Sequence, residues 1–151
     1  MMDIEIQSPG AAHWSRQQYE CLFSTSGSQG PSERLAWVVE NDSQKQPDEV
    51  PDGKSELLGF LVARRIDKEW ELENIVVAET VRRRGIGTLL LAELIAHARA
   101  ERGSSILLEV RDSNQRAREL YRRMGFEETG SRKSYYAGPA EDAILWRLCL
   151  Y

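Results

Sequence analysis

Apolar residues recur at strand-like spacing in some segments of this chain and at helical spacing in others. The order of these segments predicts a mixed α/β sheet. Strand-like patterns cover residues 3–7, 35–39, 57–66, 70–78, 105–110, 126–136 and 143–150. Helical spacing covers residues 11–23 and runs from residue 86 to about 103, with an apolar stripe of Leu89, Leu90, Leu94, Ile95 and Ala98. It then extends from about residue 112, where Asp112, Ser113 and Asn114 are helix-capping types, to Gly125, with an inner stripe of Ala117, Leu120, Tyr121 and Met124. The segments 24–32 and 41–55 have no periodicity and contain Gly, Pro and Ser, so we expect loops there and no catalytic residue in the second.

Three consecutive arginines and two glycines lie at the start of the helical pattern that begins at residue 86. Arg82 to Arg84 precede Gly85 and Gly87. Glycine lets the backbone turn tightly and approach a ligand, and the first N–H groups of a helix have no partner inside it. The segment therefore suits an anion such as a pyrophosphate, although an arginine-rich turn before an ordinary amphipathic helix fits the same residues.

Two common phosphate-binding motifs do not match this glycine segment. A dinucleotide fingerprint requires a third glycine where Leu90 stands, and a P-loop requires Gly-Lys-Ser/Thr where Gly87 is followed by Thr88 and Leu89. The segment therefore has the spacing Arg82-x-x-Gly85-x-Gly87, which belongs to neither of these two motifs.

Composition narrows the classes of function. The chain has 151 residues, of which 41% are hydrophobic and 29% charged, so we expect one globular domain over residues 1–151. A net charge of −4 argues against a general nucleic-acid binder. The start of the sequence lacks a signal-peptide pattern and no run of apolar residues is long enough to span a membrane, so we expect a cytoplasmic protein without a membrane partner.

Cysteine and histidine are too scarce and too scattered to predict metal chemistry. Cys21, Cys149, His13 and His97 show neither zinc-ligand spacing nor the pattern of a disulfide framework. We therefore expect no metal, and chemistry carried by carboxylates, hydroxyls and backbone groups.

Three linked segments give the chain a specific resemblance. They are Asn74-Ile75-Val76-Val77 followed by the glycine segment, then Leu108-Glu109-Val110-Arg111-Asp112-Ser113-Asn114, then Leu120-Tyr121-Arg122-Arg123-Met124-Gly125-Phe126. In this order they resemble the GNAT superfamily of N-acyltransferases. With Tyr135-Tyr136 and Glu141-Asp142-Ala143, they look like the bacterial ribosomal-protein-alanine N-acetyltransferases and the related N-terminal acetyltransferases, over about residues 57–148.

The resemblance implies a fold and a reaction. The fold is a single twisted, mixed but mostly antiparallel sheet of six to seven strands flanked by three to four helices, with a bulge in the strand before the phosphate loop. The reaction is transfer of acetyl from acetyl-CoA to the α-amino group of a protein or peptide, such as a ribosomal-protein N-terminus. Contacts to acetyl-CoA are implied for Ile75, Val76, Val77, Arg82, Arg83, Arg84, Gly85, Ile86, Gly87, Thr88 and Asn114.

The resemblance also implies a general base, Glu109, and a general acid, Tyr121. An α-amino group with a pKa of ~8 loses its proton near neutral pH far more easily than a lysine at ~10.4, and Glu109 could accept that proton directly or through water. Glu73 and Glu71 are rival bases. Glu109 could instead pair structurally with Arg111, and Tyr121 could be ordinary core packing.

Acceptor contacts are implied for Tyr135, Tyr136 and Glu73, although two adjacent tyrosines also suit an edge strand. Residues 21–32 lack the Phe-Pro-Trp-Ser segment usual in the ribosomal-protein enzymes, and the 41–55 loop is long, which leaves the acceptor and the oligomeric state open. An acetyltransferase of a small amine or a lysine, and a module that senses acyl-CoA without turnover, are the alternatives.

Overall fold

The computed structural model describes residues 1–6, 14–23, 32–41 and 56–151. Within them one six-stranded sheet is formed by β1 (Ser32–Asn41), β2 (Glu56–Ile66), β3 (Glu69–Val77), β4 (Ser105–Arg111), β5 (Glu127–Tyr136) and β6 (Glu141–Cys149). The helices are α1 (Met2–Ile6), α2 (Arg16–Phe23), α3 (Ile86–Ala100) and α4 (Gln115–Arg123), with a 3-10 turn at Glu79–Val81. The predicted mixed α/β sheet is confirmed. The loop predictions for 24–32 and 41–55 fall almost entirely outside the described residues.

The sheet is mostly antiparallel, and its one parallel pair opens into a gap. The strand order is β1-β2-β3-β4-β6-β5, and only β3 and β4 run parallel. Residues 69–72 of β3 pair with residues 105–108 of β4, and beyond these positions the two strands, both fully described, have no paired residues. The carboxyl ends of parallel strands are where open α/β sheets bind ligands.

A bulge in β3 coincides with the start of this gap, as the resemblance implies for the strand before the phosphate loop. On β2 the neighbours Val62 and Ala63 pair with Asn74 and Leu72, so Glu73 is one extra residue on β3. A bulge disrupts the ladder locally and bends the strand. The disturbance begins at Glu73, slightly earlier than the Ile75–Val77 segment.

The closed end of the β3–β4 pair carries a polar cluster. The Glu69 carboxylate accepts hydrogen bonds from Ser105 Oγ at 2.8 Å and from Arg147 Nη2 at 2.7 Å. The same Arg147 nitrogen lies 3.1 Å from Ser105 Oγ, and Ser105 is buried. These contacts link β3, β4 and β6 below the gap.

Both faces of the sheet are covered by helices. Alternation along β2 directs Leu61 and Ala63 into a large core cluster with α3, and Phe60 and Val62 into a second cluster with Tyr19. The buried residues of α3 are Leu90, Leu91, Leu94, Ile95 and Ala98. The predicted stripe included Leu89 and was wrong there, because Leu89 lies on the outer side of the helix and is 50% exposed.

The strand predicted at residues 3–7 is wrong, since residues 2–6 form α1. Ile4 and Glu5 follow Met1 at helical spacing, so Met1 lies just before α1 on the same side as Ile4 and Glu5. Met1 and Ile4 pack against the Phe60 cluster, and the Glu5 carboxylate is buried. The alternation of Ile4 and Ile6 was too short to exclude this helix.

The helix predicted over residues 11–23 begins only at Arg16 in the described part of the chain. Ser15 Oγ accepts a hydrogen bond from the Gln18 N–H at 3.3 Å, and Gln18 Oε1 accepts one from the Ser15 N–H at 2.7 Å. This reciprocal pair is a capping box, which satisfies N–H groups at a helix start and fixes the boundary.

Candidate active site

A cavity of about 1480 Å³ opens at the gap between β3 and β4. Its walls come from α2, β1, β3, the glycine segment, α3, β4, α4 and β5. The cavity brings together nearly all of the site residues predicted from the sequence: Glu71, Glu73, Ile75, Val76, Val77, Arg82, Arg83, Gly85, Ile86, Gly87, Thr88, Glu109, Asn114, Tyr121, Tyr135 and Tyr136. Arg84 is the exception, because it is exposed and lies outside the lining.

The start of α3 has the geometry of an anion site. Gly85 is the N-cap with a φ of 83°, and it offers no side-chain cap to the first N–H groups of the helix. Arg83 also has a positive φ, of 65°. The two left-handed residues turn the chain sharply, so that Arg83 lines the cavity while Arg84 faces solvent. The free N–H groups and the helix dipole both favour an anion here.

Arg82 and Gly87 help to hold this segment in place. Arg82 Nε donates to the carbonyl of Val77 at 3.2 Å, and its guanidinium lies 3.9 Å from Glu79. A Cβ on Gly87 would come within 3.2 Å of Leu120 Cδ2. Gly87 therefore allows α3 and α4 to pack closely beside the cavity.

Asn114 begins α4 and lines the same cavity. Its Oδ1 accepts a hydrogen bond from the Ala117 N–H at 3.2 Å, which makes Asn114 the N-cap, one of the capping types noted in the sequence. The amide group of asparagine carries two further donors. Asn114 can therefore cap the helix and contact a ligand at once.

Glu109 lies on β4 with its side chain 23% exposed, and it is held from β5. Arg132 Nη1 is 2.8 Å from its carboxylate. A hydrogen bond from the Tyr135 hydroxyl to Glu109 raises the pKa of Tyr135. The alternative pairing with Arg111 is wrong, because Arg111 lies 3.3 Å from Glu141 and stacks over Tyr136 at 4.2 Å.

Of the rival carboxylates on β3, Glu73 is bound more fully than Glu109. Glu73 receives two hydrogen bonds from Arg34, at 2.6 and 2.8 Å, and Arg64 Nε lies 3.6 Å away. Glu71 accepts a hydrogen bond from Arg64. The Glu73 carboxylate thus pairs with two guanidinium groups, whereas the Glu109 carboxylate pairs with one, which belongs to a more exposed arginine.

Tyr121 is buried, with 4% of its surface exposed, and its ring packs against Phe126 at 5.8 Å and Trp146 at 6.5 Å. It lies on the predicted inner stripe of α4, together with the partly buried Leu120. No residue in the described part of the chain hydrogen-bonds to its hydroxyl. Burial, followed by the neighbouring Tyr136, raises the pKa of Tyr121, so the hydroxyl keeps its proton near neutral pH.

Tyr135 and Tyr136 stand at an irregularity in β5. The pairing with β6 jumps from Arg132 to Tyr136. Asp142 secures the intervening residues, because it accepts a hydrogen bond from the Ser134 N–H at 2.9 Å and pairs with Lys133 at 2.6 Å. Burial, followed by the charge of Glu109, raises the pKa of Tyr136 to about 12. Tyr135 is half exposed at the mouth of the cavity.

The sequence analysis missed Arg34, which lines the cavity, and three residues outside the lining that hold it in place: Glu5, Tyr19 and Arg132. The acid between Ile4 and Ile6 was the one local signal, because a carboxylate in an apolar segment needs partners if it is buried. Arg34 and Arg132 had no local signal, since long-range strand pairing brings them to Glu73 and Glu109.

The described residues contain neither a candidate metal-binding cluster nor a membrane-spanning helix. Residues 1–6, 14–23, 32–41 and 56–151 contain no group of three or more His, Cys, Asp or Glu side chains able to hold a metal ion. The same residues contain no helix that is long and apolar enough to cross a membrane.

Comparisons with known proteins agree with this geometry. A [ribosomal protein bS18]-alanine N-acetyltransferase of Haemophilus influenzae is 37% identical over 94 residues, which is 60% of this chain and 64% of the relative. The N-alpha-acetyltransferase RimI of Mycobacterium tuberculosis is 38% identical over 95 residues, 60% of this chain and 58% of the relative. The chain thus covers less than two thirds of the length of these curated relatives.

A solved structure and a family model extend the likeness. The crystal structure of the ribosomal-protein-S18-alanine N-acetyltransferase from Escherichia coli superposes with a TM-score of 0.76 at 26% identity, over 99% of this chain and 84% of that one. The model of the acetyltransferase (GNAT) family matches residues 5–126, more than half of the chain. This protein therefore belongs to the GNAT acetyltransferase family.

Proposed function

We propose that this protein transfers an acetyl group from acetyl-CoA to the α-amino group of a protein or peptide. One observation carries the proposal: a single cavity joins an anion-binding helix start to a carboxylate and a buried tyrosine hydroxyl across an unpaired strand edge. The relatives named as acetyltransferases of a ribosomal protein and of N-alpha groups support the same reaction class. A cytoplasmic location is part of this proposal.

The residues present fit acetyl-CoA. Its pyrophosphate would lie against the N–H groups of Ile86 to Thr88, with Arg83 beside them. Its extended arm would follow the β3 edge at residues 75–77, where no β4 partner takes the backbone groups. Asn114 would contact it from α4.

The same β3 edge would assist the reaction itself. Backbone N–H groups that have no ladder partner can donate to the thioester oxygen as negative charge develops on it. The bulge at Glu73 and the end of the β3–β4 pairing at Leu72 leave such groups in the cavity wall. These donors are fixed before substrate arrives, so little reorganisation is needed during the reaction.

Glu109 is the residue best placed to accept the proton of the acceptor amine. Its one guanidinium partner, Arg132, is on the exposed side of the cavity mouth. Glu73 already receives two short hydrogen bonds from Arg34, and Glu71 is bound by Arg64. An incoming ammonium group competes with Arg132 for Glu109, directly or through water.

Tyr121 would serve the departing thiolate of CoA. Its raised pKa keeps the hydroxyl protonated, and the hydroxyl has no hydrogen-bond partner in the described residues, so it is free to donate. A tyrosine with a pKa above 10 is a weaker acid than a thiol at ~8.5. Stabilisation of the thiolate by a hydrogen bond therefore contributes more than complete transfer of the proton.

Tyr135 and Tyr136 would contact the acceptor at the mouth of the cavity, near Glu109. The acceptor is a protein or peptide N-terminus in this proposal. Glu73, expected from the sequence to bind acceptor, serves the acceptor side through Arg34 instead of directly.

The experiment is mass spectrometry of a peptide library incubated with the protein and acetyl-CoA. Each peptide is supplied with a free α-amine, with a blocked α-amine and an internal lysine, and with both groups blocked. Acetylation confined to free α-amines is the expected result. Acetylation of lysines or of small amines alone would refute the proposed acceptor, and acetyl-CoA binding without release of free CoA thiol in the presence of any acceptor would indicate a sensor.

A further inference from the structure

Glu5 on α1 is a buried carboxylate that the proposed chemistry does not use. Only 2% of its surface is exposed. It accepts hydrogen bonds from the Trp14 N–H at 3.1 Å, the Tyr19 hydroxyl at 2.6 Å and Asn74 Nδ2 at 2.6 Å. A buried charge is costly unless it is well bonded, so a carboxylate with these donors from separate parts of the chain requires an explanation.

The bond from Asn74 reaches β3 where the sheet opens. Asn74 directly follows the bulge residue Glu73 and precedes the stretch Ile75 to Val77 that lines the cavity. Asn74 is itself buried and lines the same cavity. Its bond to Glu5 therefore fixes β3 immediately after it leaves regular pairing with β4.

A second set of contacts returns to the same bulge by a different route. The Trp14 ring lies 5.8 Å from the Arg34 guanidinium, and Arg34 holds Glu73 with two hydrogen bonds. Glu5, Trp14, Arg34, Glu73 and Asn74 thus form a closed circuit, in which Glu73 and Asn74 are adjacent in sequence. The Tyr19 hydroxyl adds α2 to the circuit through Glu5.

This circuit also sets a wall of the cavity. Trp14, Gln17 and Gln18, at and near the start of α2, line the cavity together with Arg34. None of them belongs to the glycine segment or to the start of α3. The Glu5 circuit and the anion site therefore serve different parts of the cavity.

We propose that Glu5 is a positioning residue for the acceptor: its buried carboxylate holds the wall formed by Trp14, Gln17 and Gln18 against the bulged strand at Asn74. The inference rests on the proposed function, because it assigns this wall to the acceptor amine. It predicts that loss of the carboxylate weakens acceptor binding while acetyl-CoA binding is retained.

The test is steady-state kinetics of Glu5→Gln, which keeps the shape of the side chain but places an amide donor among three donors. The KM for a peptide acceptor should rise about tenfold or more, the scale of a lost hydrogen bond to a charged group. The kcat and the acetyl-CoA affinity should stay within about twofold of wild type. Asp3→Asn removes an exposed acid from the same helix and is the matched control.

Rescue separates positioning from general damage. In Glu5→Gln combined with Asn74→Asp, the amide of residue 5 can donate to the new carboxylate, so the acceptor KM should return toward wild type. If Glu5→Gln does not fold, Tyr19→Phe replaces it, because it removes one donor from the same carboxylate and should also raise the acceptor KM.

Three results would overturn the inference. They are an unchanged acceptor KM in folded Glu5→Gln, or in Tyr19→Phe when it is the replacement, equal losses for acceptor and acetyl-CoA, and no rescue in a folded double variant. A wild-type protein that acetylates no α-amine would instead refute the proposed function, and the acceptor role of Glu5 with it. If the wild-type protein acetylates peptides and the variants have the same acceptor KM as wild type, only the positioning role of Glu5 is refuted.

Discussion

Replacing Tyr121 by phenylalanine separates packing from chemistry by the removal of one oxygen atom. The ring contacts with Phe126 and Trp146 are kept. Since the hydroxyl has no hydrogen-bond partner in the described part of the chain, its removal should change the free energy of unfolding by no more than ~1 kcal/mol. For a domain of this size, that corresponds to a Tm shift of roughly 2–4 °C at most.

The chemical consequence should be much larger. If the hydroxyl stabilises the departing thiolate, kcat should fall ~10²-fold or more. A ~10²-fold loss corresponds to about 2.7 kcal/mol of transition-state stabilisation. The assay is thiol release at saturating acetyl-CoA and acceptor, with acetyl-CoA affinity measured by calorimetry and Tm by calorimetric scanning.

Tyr19→Phe is the matched comparison, because Tyr19 is as buried as Tyr121 but donates a 2.6 Å hydrogen bond to Glu5. This variant should lose ~1.5–3 kcal/mol of stability, the scale of a hydrogen bond to a charged group, with kcat nearly unchanged. The two tyrosines should therefore show opposite effects on Tm and kcat. A Tyr121→Phe variant with the kcat of wild type would return Tyr121 to the hydrophobic core and leave the thiolate without a donor.

Three further outcomes are expected. Glu109→Gln should lower kcat by ~10²-fold near neutral pH and recover partly as rising pH deprotonates the amine; a normal rate would transfer the role of base to β3. Arg83→Glu should raise the KM for acetyl-CoA far more than Arg84→Glu does, since Arg83 lines the cavity and Arg84 does not, and equal effects would contradict the anion site. The pKa of Asp142 is lowered by its hydrogen bond with Lys133 and by the Ser134 N–H, so it adds stability above about pH 4 that is lost as pH falls through the lowered value. The difference in Tm between wild type and Asp142→Asn should shrink at low pH, and a constant difference would refute this linkage.

Periodicity was enough to predict most elements because segments such as β3 and α3 bury side chains at regular positions. The α4 stripe containing Leu120 and Tyr121 and the two long strands β2 and β3 are confirmed. The strand prediction at residues 3–7 was wrong because so short a segment can satisfy either period. Burial of Glu5 against distant partners favours the helix instead. Asn74, one of those partners, is 69 residues away along the chain.

The candidate site was predictable as a set of residues but not as a set of contacts. The motifs gave Glu109, whereas its partner Arg132 depends on the irregular pairing of β5 with β6. The motifs also gave three neighbouring arginines, but the turn with positive φ angles at Arg83 and Gly85 leaves Arg84 outside the cavity that Arg82 and Arg83 line. Such choices depend on strand register and turn geometry, which no single segment of the sequence encodes.

The pairing of β3 with β4 at one end has a mechanical consequence. The sheet acts as two three-stranded blades, β1-β2-β3 and β4-β6-β5, joined at residues 69–72 and 105–108. Because no ladder hydrogen bond crosses the gap beyond this joint, a change in the angle between the blades alters the width of the cavity without breaking backbone pairs. The cluster of Glu69, Ser105 and Arg147 lies at this joint, so side-chain contacts add to the backbone pairs that hold the two blades together at the closed end of the gap.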